Sequence, residues 1–359
     1  MKYRIYFAGI LLDLVLLLIL LYGGLTFTLR DVAEGAAPGP YLANAVYVLM
    51  FGGLFILAHF PLQVFIGYHW EHKFGFSNQN FGQWSRDELK KILLNAVLTL
   101  VLVEVMYALL RHFPLTWWIF TGGFWFLLSF VLAKLTPTVI VPLFYKYKAI
   151  KNEPLKQRIK ALFRDCRVGL HEVYAIDYSR KTSKANAFIC GLGASRRVIL
   201  SDTLLDEFAE REIETVVAHE LGHYCHRDIL KMLAINSVLI FSGLYIIDRI
   251  LTHAVGYFGF RGTGDIAALP LLVLIFSAYA LVLTPLTNWL SCRMEVAADR
   301  FSLEHTGDPG AFIAMMDKLG RRNLAEVRPN KWIEWFFYDH PPLEKRIAFA
   351  KTFQETRDT

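Results

Sequence analysis

Cysteine is scarce in this chain: Cys166, Cys190, Cys225 and Cys292 are the only four in 359 residues, and no two stand in a C-x-x-C spacing. That excludes a thiolate zinc site and a disulfide framework, so the four are expected to be free and reduced. A large excess of one charge is also missing. The net charge of +6 is spread through loops between apolar segments, which speaks for membrane topology and against nucleic acid as a partner. Internal repeats are absent. No small-residue cleavage site follows the first apolar run, and at Ile5 to about Phe27 that run is too long for the core of a signal peptide.

Apolar residues are plentiful, at 55% of the chain, as in a membrane protein. The first run predicts a transmembrane helix with Asp13 inside it, and Gly35 to Pro40 reads as a turn. A second span is expected from about Leu42 to Ile66, followed by a polar and aromatic stretch, Tyr68 to Lys91, suited to the membrane interface. A third runs from Ile92 to Leu110 with Glu104 within it, and a fourth from Thr116 to Leu135, ended by Pro137 and Pro142. The fifth and sixth are expected at about 232–250 and 269–290, separated by a loop with Gly256, Gly259, Gly262 and Gly264. Lysine and arginine gather at the N-terminus, at Arg86 to Lys91, through 146–231 and after Arg293, while 29–41 and 251–268 carry few. With six spans all the rich segments share one side, which is therefore expected to be cytoplasmic and to hold both termini.

Between Tyr145 and about Asp228 the composition is that of a soluble domain. Glu153 to Cys166 has helical spacing. Val173 to Ile176, Asn186 to Cys190 and Arg197 to Leu200 predict a small sheet, and Asp202 is expected to cap the next helix. The fold class is thus mainly α: a multi-pass helical membrane protein of about six transmembrane helices with a cytosolic α+β domain. Residues 1–144 form an amino-terminal transmembrane domain of four spans, and 145–359 a domain containing the other two.

Chemistry concentrates in His219-Glu220-Leu-Gly-His223. On a helix, residues four apart share a face, so both imidazoles can hold one ion while Glu220 stands beside them as a general base. A catalytic zinc commonly has three protein ligands and an open position, so a third is needed. His226 is the nearest offer, but a single continuous helix does not readily bring it to a tetrahedral position. Glu295 is the better candidate: spans five and six form a hairpin that returns the chain to the same side. Asp299 is one turn beyond Glu295, suited to accept from a ligand imidazole, and Ala297 and Ala298 allow close helix approach.

These residues carry a resemblance. His219-Glu-Leu-Gly-His223, two hydrophobic segments, then Arg293-Met-Glu295-Val-Ala-Ala-Asp299 resemble the integral-membrane zinc endopeptidases of the type I CAAX prenyl protease family. Glu71-His-Lys-Phe-Gly-Phe, Pro142-Leu-Phe-Tyr-Lys146 and Arg197-Val-Ile-Leu-Ser-Asp202 extend the likeness over most of the chain. The resemblance implies one zinc per chain on His219, His223 and Glu295, with Glu220 activating water. It implies that Asn186 to Gly191 is an edge strand for a peptide substrate. His340-Pro-Pro-Leu-Glu-Lys-Arg346 is similar to the family's H-P-x-x-x-x-R pattern, in which His340 would bind substrate or the oxyanion and Arg346 would support the site. Eukaryotic members have seven spans around an intramembrane chamber, whereas six are counted here.

The expected function is zinc-dependent hydrolysis of peptide bonds in membrane-associated or C-terminally prenylated substrates. The alternatives are a quality-control protease of membrane proteins without prenyl specificity and a non-catalytic scaffold that keeps zinc for stability; the intact Glu220 speaks against the scaffold. Expected partners are a peptide or protein substrate and the lipid bilayer. The expected location is the bacterial cell membrane, or the endoplasmic reticulum if the source is eukaryotic, with the active site facing the cytoplasm.

Overall fold

The computed structural model describes residues 2–191, 196–322, 326 and 328–358. Helix α1 (Lys2–Tyr22) ends before its apolar run does. Gly23 and Gly24 follow, Gly24 with φ of 71°, and a separate amphipathic helix α2 (Leu25–Ala36) begins. A left-handed glycine stops a helix at little steric cost, so the first span ends at Tyr22 and not near Phe27. Helix α3 (Pro40–Val64) starts with proline in its first turn and continues through a π-helical turn, Phe65–Trp70, into α4 (Glu71–Lys73). Asn80 caps α5 (Phe81–His112) reciprocally with Gln83, which starts the third span well before Ile92.

Helix α6 (Trp117–Leu135) is not ended by its prolines as expected. A π-helical turn, Thr136–Ile140, carries it into α7 (Val141–Phe144). Pro137 and Pro142 lie where the hydrogen-bonding pattern changes between α- and π-helical turns, not at a free helix start. Strand β1 (Tyr147–Ala149), helix α8 (Glu153–Asp165), and strands β2 (Glu172–Ile176), β3 (Ala187–Cys190) and β4 (Arg197–Ser201) follow. Then come α9 (Asp202–Glu207), α10 (Glu210–Cys225), α11 (Asp228–Phe258), α12 (Leu269–Thr306), α13 (Pro309–Arg322), α14 (Lys331–Phe337) and α15 (Leu343–Asp358). The cap of α9 is Ser201, whose hydroxyl accepts from Leu204 N–H at 3.2 Å. Asp202 instead accepts from the N–H groups of Ser179 and Thr203.

Among the described residues six helices are long and apolar enough to cross a membrane, the number expected. The last two are longer than their apolar cores: α11 begins at Asp228 and α12 runs on to Thr306.

The chain forms two compact units. One comprises residues 1–71, 80–130 and 234–282. Its core holds Tyr47, Tyr107, Trp117, Leu251 and Ala267, and several of its buried polar groups are paired within it. Thr26 bonds Tyr47 and the Ala267 carbonyl, and Trp117 Nε1 donates to Asp248 at 2.7 Å. The two intramembrane acids noted in the sequence lie among polar groups here: Asp13 is 2.6 Å from His59 Nε2, and Glu104 faces the Asn44 side-chain amide at 3.4 Å.

The other unit comprises residues 72–79, 131–233 and 283–359. Its sheet has the order β1-β2-β4-β3, with β2 and β4 parallel and the outer pairs antiparallel. β1 is an addition to the strands expected; three residues carry no readable alternation. Val173, Val198 and Leu200 from the sheet pack with Leu155 and Ile159 of α8, Val217 and Leu221 of α10, and Phe312 and Met315 of α13. α10 is thereby buried on one side while its histidine face meets α12.

Candidate metal centre

Helix α10 delivers His219 and His223 from one face, with ring centroids 4.8 Å apart and Nε2 atoms 3.2 Å apart. Between them Gly222 meets α12. A Cβ built there would lie 3.1 Å from Ala298 Cα and 3.1 Å from Phe301 Cβ, so the absent side chain is what lets the helices approach. Ser302 Oγ donates to the Thr215 carbonyl at 2.8 Å and fixes the register. This crossing brings the buried Glu295 to the histidines: Oε1 lies 3.2 Å from His223 Nε2 and Oε2 3.3 Å from His219 Nε2. The donor atoms of His219, His223 and Glu295 all lie within 4.8 Å of one another.

The other ring nitrogens explain what this triangle is suited to. His219 Nδ1 is 2.9 Å from Asp299 Oδ1, and His223 Nδ1 is 2.9 Å from Asp228 Oδ2. Carboxylates only accept, so each Nδ1–H donates and each Nε2 keeps its lone pair. Two lone pairs 3.2 Å apart beside a carboxylate repel one another unless a cation lies among them. A tetrahedral ion with nitrogen ligands at about 2.0–2.1 Å separates its ligand atoms by about 3.3–3.4 Å, which the observed edges match. The residues present therefore fit a zinc-like ion. Without metal, a proton takes that place: burial favours the neutral ring of His219, but the bonds to Asp299 and Glu295 outweigh it and push the pKa up to about 9.

Glu220 follows His219 on α10 and remains partly accessible. Burial pushes its carboxyl above the usual glutamate range, against the opposing positive charge of His219 and His223. His340 arrives from the segment before α15, its Nδ1 2.8 Å from Asp339 and its Nε2 3.1 Å from Glu295 Oε1. Those two bonds raise it to about 10. Arg346 of α15 is largely buried and grips Asp299 with both arms, Nε to Oδ2 at 2.7 Å and Nη2 to Oδ1 at 2.5 Å. Glu220, Glu295, Asp299, His340 and Arg346 thus gather around His219 and His223. His226 is outside this group: it ends α10 and packs its ring against Phe301.

Asp228 is the residue that sequence reasoning missed. Five positions beyond His223, it would point well away from that ring on an unbroken helix. Arg227 breaks the helix with φ of 58°, and α11 restarts with Asp228 turned back under the imidazole. The available signal was a carboxylate at the first position of a helix directly after a metal motif.

A membrane-spanning helical fold that carries this donor set defines a class, the integral-membrane metalloproteases. Residues 149–354 match peptidase family M48, and the chain belongs to that family and is a zinc metalloprotease. Residues 1–146 match the CAAX prenyl protease N-terminal domain, described as five membrane helices; among the described residues this segment has four helices of spanning length, α2 being only 12 residues long. The chain is 29% identical over 354 residues to the uncharacterized metalloprotease YhfN of Bacillus subtilis, covering 98% of this chain and 83% of the relative. It is 26% identical over 390 residues to the CAAX prenyl protease 1 homolog of Homo sapiens, covering 94% and 81%. The fold resembles the crystal structure of S. mikatae Ste24p, with a TM-score of 0.87, 20% identity, and coverage of 97% and 86%.

Proposed function

We propose that this protein is a zinc endopeptidase in which His219, His223 and Glu295 hold one ion and Glu220 is the general base. The observation that carries the reading is the convergence of two Nε2 lone pairs and Glu295, with both Nδ1–H groups committed to Asp299 and Asp228. When bound, zinc supplies Lewis-acid chemistry, acidifying water and polarising a carbonyl oxygen. Glu220 takes a proton from the attacking water as the C–O bond forms, and returns it to the amine as the C–N bond breaks. His340 is about half exposed, its Nδ1–H held by Asp339, and its Nε2–H turns from Glu295 to the developing oxyanion. Arg346 fixes Asp299, and through it the ring of His219.

The substrate is a peptide or protein. Among the described residues strand β3 pairs with β4 alone, so an extended peptide adds at its other edge by main-chain hydrogen bonds. Its class is membrane-associated proteins, C-terminally prenylated CAAX-type chains included, which the names of several relatives support. The distribution of lysine and arginine supports a cytoplasmic active site, in a bacterial cell membrane or the endoplasmic reticulum.

The test compares purified wild type with Glu220→Gln, each assayed for zinc and given one peptide farnesylated near its C-terminus and the same peptide bare. Cleavage of the farnesylated peptide alone, by wild type alone, supports the CAAX-type reading. Equal cleavage of both moves the assignment to general membrane proteolysis. A fully active Glu220→Gln enzyme overturns the mechanism.

A further inference from the structure

Helix α14 presents an apolar face outward. Trp332 and Trp335, three residues apart, share that face and are 77% and 56% exposed. Glu334 stands on the opposite side, paired with Lys345 of α15 at 2.5 Å. A helix of seven residues does not persist on its own, and this one is tied at its C-terminal end to α12. Asn288 Nδ2 donates to the Phe336 carbonyl at 2.6 Å, and Cys292 Sγ to the Tyr338 carbonyl at 3.4 Å.

Asn288 and Cys292 are one turn apart on α12, where the apolar run that begins at Leu269 gives way to charge. Trp289, between them, is 51% exposed, with the Arg293 guanidinium 5.1 Å from its ring centroid. An aromatic and a cation at the end of a spanning helix mark the depth of the lipid headgroups. α14 is therefore fastened to a membrane helix at the level where that helix leaves the bilayer. Exposed to water, each tryptophan would forgo the apolar burial that its ring offers. At the interface the ring body meets acyl chain while the indole N–H stays hydrated.

We infer that α14 is an interfacial helix, with Trp332 and Trp335 inserted at the headgroup boundary of the bilayer, and that it anchors the segment Tyr338 to His340 at the membrane surface. The chain passes from Phe337 to His340 in three residues, and His340 contacts Glu295. Lipid contact thus sets where His340 stands over the site, and a substrate held in the same bilayer meets it at a defined height. The inference rests on the membrane placement of α12 and not on the proposed cleavage chemistry. The other occupant such a face could take is an apolar segment of the substrate.

The experiment uses the full chain in nanodiscs, wild type beside Trp332→Phe/Trp335→Phe, which keeps the face apolar. Each is prepared in ordinary phosphatidylcholine and in phosphatidylcholine brominated near the top of its acyl chains. Subtracting the variant's emission from that of wild type isolates the two indoles, and bromine is expected to quench that difference by more than half. Equal difference emission in the two lipids overturns the inference, and so does emission that changes only when a peptide substrate is added. Retained metal content in the variant shows that it is folded.

Discussion

Asp228 Oδ2 lies 2.9 Å from His223 Nδ1, as Asp299 Oδ1 does from His219 Nδ1, so each of the two motif histidines has its own carboxylate. The pair comes from different places: Asp299 from α12, across a helix crossing, and Asp228 from the residue that restarts the chain after Arg227. Both do the same work, fixing the tautomer that turns Nε2 toward the shared point.

Asp228→Asn should weaken zinc binding about 10- to 100-fold while leaving the fold intact, because an amide cannot hold the Nδ1 proton as a carboxylate does. Competition with a calibrated chelator measures this. Excess zinc should restore much of the activity, whereas unchanged affinity would remove Asp228 from the site.

Glu220→Gln should bind zinc as wild type does and lose roughly 10²- to 10⁴-fold in kcat. Because burial raises the Glu220 carboxyl, the base is lost as pH falls through a value above the ordinary glutamate range. The acid limb of the kcat/KM profile should lie there, and Gln at this position should abolish it.

Gly222→Ala should destabilise the protein by about 1–3 kcal/mol, since the added methyl meets the backbone of Ala298. As it also separates α10 from α12, zinc affinity should fall with the melting temperature. A variant with a lowered melting temperature and unchanged affinity would mean the crossing does not set the ligand geometry.

In the metal-free protein, His219 and His340 have pKa values raised to about 9 and about 10. Their stabilising contribution is fully present below the unfolded histidine pKa of about 6.5 and is lost as pH rises through the folded values. Thermal melts of the metal-stripped protein should therefore drop in midpoint between about pH 6.5 and 10. Zinc must displace the His219 proton, so its uptake should release protons and its affinity should rise with pH up to about 9.

Much of the helical plan was legible in the sequence, because apolar runs of membrane length and the four-residue spacing of His219 and His223 are local properties. The errors were local too. Gly24 stopped α1 early, a π-helical turn carried α6 past Pro137, and Ser201, not Asp202, capped α9. In each case a backbone conformation decided between readings that composition leaves equal. His340 and Arg346 had no signal in spacing and were found through the family resemblance alone.

By itself, then, the sequence determined six spanning segments, one metal motif and the return of the chain that makes Glu295 available. Only the tertiary structure decided that Gly222 lies against Ala298, that Asp228 folds back beneath His223, and that α14 hangs from α12 with its tryptophans outward. Helix formation follows from near neighbours, whereas these contacts depend on a single left-handed residue, a missing side chain and two hydrogen bonds across more than forty residues of chain, none of which leaves a periodic trace.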